Sequence, residues 1–302
     1  MKTLKLIKHN TSIEFLKFKK TTLIISTLFC LMSFFSILIN GLNFGIDFKG
    51  GSLIEVSSED EINISLVRSN LSLLDLGDIQ IQNFGSDKNI LVRIEASLSE
   101  NNSIILSKIT NELSDFGKIQ RTEVVGPKIS SELIQKGILA IISAVGLMLF
   151  YIWIRFEWQF SLGAVLALIH DVIITIGIFS FFQIEFNLSI IAALLTIIGY
   201  SMNDTVVVYD RIRENLRKYK KQDLYDLINT SINQTLSRTV LTSFTTLLAL
   251  FSLYFFGGQV IKGFTLAMII GVFIGTYSST FIASQLLQIL GVKRDWSKNK
   301  EN

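Results

Sequence analysis

The stretch LSIIAALLTIIGYSMNDTVVVYDRIREN, at residues 188–215, decides the fold class because it predicts an apolar helix with a carboxylate inside it. That carboxylate belongs to Asp204, which lies well within the uncharged part of the helix. Burying an ionisable group in hydrocarbon is costly, so such a residue is a functional candidate by default. The stretch therefore indicates a membrane helix that handles protons or other ions.

Composition and hydropathy extend this interpretation to the rest of the chain. Of the 302 residues, 49% are hydrophobic and one is proline, and the mean hydropathy is +0.48. A helix of roughly 18 to 25 apolar residues spans a bilayer. The segments that meet this requirement are residues 21–40, 137–154, 160–182, 188–208, 239–256 and 264–290. The first is long for a signal peptide and no cleavage site follows it, so we interpret it as a retained anchor.

Lysine and arginine are concentrated on one side of these predicted spans. They cluster before the first span, between the fourth and the fifth, and after the sixth, whereas the connections at 183–187 and 257–262 carry a single lysine. Cytoplasmic loops of membrane proteins show this excess. We therefore predict a cytoplasmic arm at 1–20, a cytoplasmic tail at 291–302 and both termini in the cytoplasm. The net charge of +3 then reflects topology and does not indicate nucleic-acid binding.

The segment 41–136 is the one soluble part of domain size between predicted spans. Its apolar pattern predicts strands at 52–57, 78–84, 89–95 and 118–125 and helices at 62–73 and 103–116. The order β-α-β-β-α-β is that of a ferredoxin-like α+β domain. Because the segment lacks cysteine and histidine, it is interpreted as an extracytoplasmic docking or binding module. The predicted fold is thus a six-helix transmembrane protein, with helices 2–6 in 137–290 and one soluble domain.

Five short motifs complete the sequence evidence. They are G-I-D-F-K-G-G at 45–51, V-G-P at 125–127, His170-Asp171, G-Y-S-M-N-D-T-V-V-V-Y-D-R-I-R-E-N at 199–215 and N-Q-T-L-S-R-T-V-L-T-S at 233–243. On physical grounds alone, the two glycine-bearing motifs are turns where the backbone leaves a membrane helix. Together, the motifs resemble those of the SecD/SecF family of protein-export membrane proteins, from about Leu42 to the last span. The 199–215 motif is the most specific of them.

The resemblance implies an architecture, a location and a set of partners. The bundle would be half of a resistance-nodulation-division (RND) transporter bundle, multi-pass in the bacterial inner (cell) membrane. The implied partners are SecD, the SecYEG translocon, YajC, a translocating preprotein and membrane lipid, and the implied role is to promote translocation with the proton motive force. The sequence has no P-loop and no nucleophile–base constellation, so we predict no enzyme activity, no cofactor and no metal site.

The resemblance also assigns candidate site residues. Asp204 and Arg238 match the family's membrane-embedded acid and base, and His170 and Asp171 are further proton-coupling candidates. The structural or docking candidates come from the motifs and are Gly45, Asp47, Phe48, Gly50, Gly51, Gly126, Pro127, Asn203, Asp210, Arg211, Arg213, Glu214, Asn215 and Gln234.

Helix geometry reaches the Asp204 and Arg238 pair without the resemblance. At roughly 1.5 Å per residue, each lies about 8 to 10 Å from the polar flank of its span. Antiparallel neighbouring helices would then place the carboxylate and the guanidinium at one level. Opposite charge favours an ionised acid and desolvation favours a neutral one, and a proton-coupled site modulates this balance. The alternative is a static ion pair that joins two helices.

Other polar features of the spans also have two interpretations. His170-Asp171 either relays protons or orders the bundle through hydrogen bonds. Residues 210–215 form either a solvated helix face with snorkelling arginines or a docking surface for the translocon or SecD. Hydroxyls of the fifth span line a hydrated path or bond to backbone carbonyls. Small residues recur every fourth position from Gly263 to Ala283, which predicts a ridge for close helix packing.

Two further functions fit the same residues. An RND-type proton-coupled exporter of small molecules would share the six spans and the embedded charges. Such pumps carry far larger external domains and two halves in one chain, so the small segment at 41–136 argues against this function. A passive assembly scaffold of the translocon would use the buried charges as structural contacts alone.

Overall fold

A computed structural model describes residues 11–74, 79–94 and 102–292, without the side chains of residues 102–105, 127 and 259. The chain forms two compact units. The first comprises Met1–Leu42, Ala140–Ile184 and Ser189–Asn302, and the second comprises Asn43–Leu139 and Glu185–Leu188. The parts of the predicted arm and tail at 1–10 and 293–302 lie outside the described residues.

The helices and strands follow one another along the chain. They are α1 (Lys19–Asn40), α2 (Ile46–Lys49), β1 (Gly51–Ser57), α3 (Ile64–Ser72), β2 (Ile79–Asn83), β3 (Asn89–Ile94), α4 (Asn102–Ser114), β4 (Lys118–Val125), α5 (Pro127–Arg155), α6 (Trp158–Phe181), α7 (Leu188–Lys218), α8 (Leu224–Phe256), α9 (Lys262–Ser278) and α10 (Ser284–Ile289). A 3-10 turn at Phe15–Phe18 precedes α1, and a π-helical segment at Ser279–Ala283 joins α9 to α10.

Within the described part of the chain, six helical stretches are long and apolar enough to cross a membrane, which confirms the six predicted spans. Several helices extend beyond their apolar runs, because hydrogen bonding within a helix does not stop where the hydrocarbon does. Helix α7 continues to Lys218, and α8 begins at Leu224 rather than at the predicted residue 239. The Asp223 side chain fixes this start by accepting a hydrogen bond from the backbone N–H of Tyr225, as an N-cap does.

The second unit contains an antiparallel sheet with the strand order β2-β3-β1-β4. Together with α3 and α4 this is the ferredoxin-like arrangement, as predicted. Alternate strand residues such as Ile54 and Val92 pair across the sheet and are fully buried. Helix α3 starts at Ile64, two residues after the predicted start, because the Asn63 side chain caps it. Predicted strand ends at residues 78 and 95 lie outside the described residues.

Close contact between α7 and α9 organises the first unit. A Cβ atom on Gly271 would lie 2.3 Å from Ile197 Cγ1, and one on Gly275 would lie 2.9 Å from Ser201 Cβ. Both glycines therefore permit backbone approach that any side chain would prevent. These contacts confirm that the small-residue ridge of the sixth span is a packing device. Helix α7, which carries Asp204, is thereby held close against α9.

Candidate functional site

Asp204 on α7 is a buried carboxylate without a hydrogen-bond partner among the described residues. Asp204 is 3% exposed, and its Oδ2 atom is shielded from solvent and has no hydrogen-bond partner in the described structure. Arg238 on α8 is exposed and close enough for a favourable Coulombic interaction with Asp204. The ion pairs found in the described part of the chain do not include a contact between the two. Their charges therefore act on each other without being locked together.

Two polar contacts fix the register between α7 and α8. Tyr200 Oη donates to Ser243 Oγ at 3.2 Å, and Asn215 Nδ2 donates to Gln234 Oε1 at 2.9 Å. Asp204 lies between Tyr200 and Asn215 on α7, and Arg238 lies between Gln234 and Ser243 on α8. The carboxylate and the guanidinium are thus on the same stretch of two neighbouring helices.

Asp171 on α6 is the centre of a second buried polar cluster. It is 0% exposed, and its Oδ1 lies 2.9 Å from His170 Nδ1. Its Oδ2 accepts hydrogen bonds from Ser201 Oγ on α7 and from Ser278 Oγ on α9, the latter at 2.7 Å. We call Asp171, His170, Ser201 and Ser278 the Asp171 hub. The hub joins three helices through one carboxylate.

The Asp171 hub has two connections to the rest of the site. Ser201 precedes Asp204 by three residues, so both occupy one face of α7. Ser278 is the last residue of α9 before the π-helical segment, and π-helical turns inside α-helices occur frequently at functional sites. His170 Nε2 is buried and unpaired in the described structure. The hub therefore orders the bundle through the Asp171 carboxylate.

Hydroxyls of α8 mostly bond to the helix itself. Thr242, Thr245 and Thr246 each donate to a backbone carbonyl of the preceding turn. Ser243 instead bonds to Thr276 on α9 at 2.7 Å, and Thr239 Oγ1 is buried without a partner among the described residues. The self-bonding interpretation therefore holds for most of these side chains.

The motif at 45–51 holds the segment Glu185–Leu188 within the second unit. The N–H of Gly45 donates to the Phe186 carbonyl at 2.9 Å, and Asp47 Oδ2 accepts from the Leu188 N–H at 2.8 Å. Phe48 packs its ring 6.0 Å from that of Phe186. A Cβ on Gly45 would lie 2.6 Å from Glu185 Oε1. The residues of this motif thus bind the segment Glu185–Leu188 in addition to forming a turn.

An ion pair completes this grip. Arg93 on β3 is 5% exposed, and its Nη2 lies 2.7 Å from Glu185 Oε2. We call Asn43–Phe48, Arg93 and Glu185–Leu188 the clasp.

Gly50 and Gly51 have φ of +80° and +117°, so they serve the turn into β1. The Gly126 carbonyl accepts from the Ser130 N–H in the first turn of α5, and the Pro127 side chain lies outside the described structure.

The charged end of α7 differs in part from the prediction. Asp210 pairs with Arg155 at 3.1 Å, and Arg211 pairs with Glu214 at 2.9 Å, both at exposed positions. Asn215, interpreted as part of a solvated face, is 2% exposed. It is buried because α8 extends past the predicted span and offers Ser231 and Gln234 as partners. Asn203, by contrast, is exposed beside Asp204.

Sequence reasoning missed four residues of these clusters, namely Ser201, Ser278, Arg93 and Glu185. Arg93 gave one usable signal, because it is a charged residue among the apolar residues 90–92 and 94 of β3. A serine in an apolar helix gives no such signal, since its hydroxyl can bond to a backbone carbonyl of its own helix.

Within the described residues, no three His, Cys, Asp or Glu side chains are grouped so as to hold a metal ion.

Comparisons with known proteins agree over nearly the whole chain. The family described as "Protein export membrane protein SecD/SecF, C-terminal" matches residues 105–293, and the "SecD/SecF GG Motif" matches residues 35–61. The protein translocase subunit SecF of Rickettsia bellii is 43% identical over 295 residues, which are 96% of this chain and 97% of that protein. That of Cereibacter sphaeroides is 46% identical over 306 residues, 98% of this chain and 94% of that protein.

A solved structure shares the fold. The crystal structure of SecDF from Thermus thermophilus, described as a translocon-associated membrane protein, superposes with a TM-score of 0.85 at 35% identity. The match covers 94% of this chain and 39% of that chain. A second SecDF structure, in a super-membrane-facing form, gives a TM-score of 0.67 at 34% identity and covers 97% of this chain and 40% of that one.

Proposed function

Because the chain belongs to the SecD/SecF family of protein-export membrane proteins, we propose that it couples the proton motive force to preprotein translocation through Asp204. It is a multi-pass protein of the bacterial inner membrane and an accessory subunit of the Sec pathway.

The observation that carries the proposal is the unpaired carboxylate oxygen of Asp204. A buried polar atom without a partner requires an explanation, and water, an ion or a catalytic role are the usual ones. A purely structural ion pair would place Arg238 in contact with Asp204, because an uncompensated buried charge is strongly destabilising. The described structure lacks that contact. An acid that exchanges its proton while Arg238 stays in electrostatic range accounts for both facts.

Exposed polar residues at the same depth support a partner on this face. Asn203 and Arg238 are both exposed on neighbouring helices at the level of Asp204. Polar and charged side chains do not face lipid without a cost, so a protein surface or a hydrated path would cover them. We propose that SecD covers this face, that the complex acts with SecYEG and YajC, and that the ferredoxin-like domain handles the emerging preprotein.

The basic residues define the proposed orientation. Arg155, Arg211, Arg213, Arg217 and Lys218 lie at the ends of α5 and α7, opposite to the end where α7 begins at Leu188. By the positive-inside rule this end is cytoplasmic. Both termini are then cytoplasmic, and the segment 41–136 is periplasmic.

The test compares two carboxylates that are removed by the same substitution. Asp204→Asn should abolish the part of export that depends on the proton motive force, measured with a preprotein in energised inner-membrane vesicles with and without a protonophore. Asp226→Asn, on the exposed face of α8, should leave export unchanged. Copurification with SecD should persist in both variants. Normal energised export by Asp204→Asn would overturn the proposal, and loss of SecD from that variant alone would favour the scaffold.

A further inference from the structure

A charged cleft lies where α5 ends and α7 approaches its own end, away from Asp204. It has a volume of about 540 Å³ and is lined by Arg155, Asp210, Arg213, Glu214, Arg217 and Lys218. Four of these side chains are basic and two are acidic. Asp210 pairs with Arg155, and Glu214 pairs with Arg211, which does not line the cleft. The cleft therefore has an excess of positive charge.

Two guanidinium groups are held against one aromatic ring at this cleft. The Cζ atoms of Arg155 and Arg213 lie 5.2 Å and 5.6 Å from the centre of the same ring, that of Phe156. Arg213 Nη1 also donates to the backbone carbonyl of Arg155 at 3.1 Å. Arg213 Nε is buried and unpaired in the described structure. Like charges fixed in this way repel each other, and a bound anion would relieve the repulsion.

An apolar groove adjoins the cleft and shares two of its residues. The groove has a volume of about 610 Å³ and is lined by Leu147, Phe150, Tyr151, Ile154, Arg155 and Arg213. The four apolar or aromatic positions recur at helical spacing, so they form one face of α5, and all four are exposed. Their chemistry suits a hydrocarbon chain.

Two tryptophans mark the depth of the cleft in the membrane. Trp153 and Trp158 flank the turn between α5 and α6 and are 62% and 57% exposed. Exposed tryptophan is enriched at the level of the lipid headgroups. A basic cleft at this level, continuous with an apolar groove that faces hydrocarbon, matches the two parts of a phospholipid. Basic pockets between transmembrane helices bind anionic headgroups in this way.

We propose that the cleft and the groove form one binding site for an anionic phospholipid. The phosphate contacts the guanidinium groups of Arg155 and Arg213, where planar donors suit phosphate oxygens. One acyl chain lies along the face of α5 from Ile154 to Leu147. The site depends on insertion of the chain in the membrane and not on proton exchange at Asp204, so either proposal can fail without the other.

The test measures lipid binding to the purified full chain. Native mass spectrometry from detergent, titrated with dioleoyl phosphatidylglycerol, should show one tightly bound molecule, whereas dioleoyl phosphatidylcholine should bind at least about tenfold more weakly. The double variant Arg155→Gln, Arg213→Gln should weaken phosphatidylglycerol binding about tenfold or more, because it removes charge-assisted hydrogen bonds. The control Lys220→Gln, Lys221→Gln removes equal charge from the exposed turn after α7 and should change binding less than twofold.

Further arms identify the ligand. Dihexanoyl phosphatidylglycerol should bind more weakly than the dioleoyl lipid, because its chains leave most of the groove empty. Inorganic phosphate at the same concentration should not displace the lipid. Equal losses in both double variants would indicate nonspecific attraction and overturn the proposal. Unchanged lipid binding by the arginine variant would also overturn the proposal. If that variant bound lipid normally but no longer copurified with SecD, the surface would be a protein contact.

Discussion

The Asp171 hub makes a prediction whose magnitude follows from its geometry. Ser278 donates to Asp171 Oδ2 at 2.7 Å, and both residues are 0% exposed. Hydrogen bonds to charged groups contribute about 1.5 to 3 kcal/mol in soluble proteins. Interhelical hydrogen bonds in membranes average about 0.6 kcal/mol and reach about 1.7 kcal/mol. The two ranges meet near 1.5 kcal/mol, which is the expected cost of Ser278→Ala and about a tenfold change in the unfolding equilibrium.

The assay is reversible unfolding of the purified chain in mixed micelles with increasing dodecyl sulfate, followed by tryptophan fluorescence. The matched control is Ser252→Ala, which removes the same atom from an exposed hydroxyl whose partner in the described structure is the Leu248 carbonyl of its own helix. It should change the unfolding free energy by less than about 0.5 kcal/mol.

A double-mutant cycle with Asp171→Asn then isolates the bond itself. If Ser278 acts through the Asp171 carboxylate, the two substitutions should show a coupling energy of about 1 kcal/mol. Additivity within about 0.3 kcal/mol, or equal costs for Ser278→Ala and Ser252→Ala, would refute the hub as an energetic connection between α6 and α9.

Two other predictions concern packing and the soluble domain. Gly271→Ala should destabilise the bundle by about 1 to 3 kcal/mol, because its Cβ would lie 2.3 Å from an isoleucine side-chain carbon. The control in the same unfolding assay is Gly146→Ala on α5, where an added Cβ would have no described atom within 4 Å apart from its own helix backbone and chain neighbours. Equal effects of the two substitutions would contradict the packing argument. The segment 41–136, expressed alone, should fold as a monomeric α+β domain with a small margin of stability, and a random-coil circular dichroism spectrum would contradict the ferredoxin-like fold.

Those parts of the fold that depend on local pattern could be predicted from the sequence. Apolar runs of bilayer length gave the spans, and alternation of buried residues gave the strands of the sheet. Asp204 was identifiable because a carboxylate among apolar residues is rare. The resemblance supplied Arg238, and the depth of the two helices supported it.

Features that depend on packing between distant segments could not be predicted. The hydroxyls of Ser201 and Ser278 become ligands of Asp171 only when α7 and α9 are in place. Asn215 follows four charged residues at 210–214, so the sequence predicted that it lies on a solvated face. It is instead buried, because α8 extends beyond the predicted span and covers it. Glu185 lies in a short connection between spans, where nothing in the sequence indicates that Arg93 is its partner.

The clasp has a consequence for the order in which the protein is made. Asn43–Phe48 and Arg93 leave the ribosome long before Glu185–Leu188, and α6 is synthesised between them. The sheet can form early, but the Arg93 and Glu185 ion pair, the Asp47 bond to Leu188 and the Phe48 contact with Phe186 must wait until α6 has crossed the membrane. If α6 failed to insert, Glu185 would stay on the opposite side. In the proposed topology, the contacts of the clasp can therefore form only in a chain whose third span has crossed the membrane.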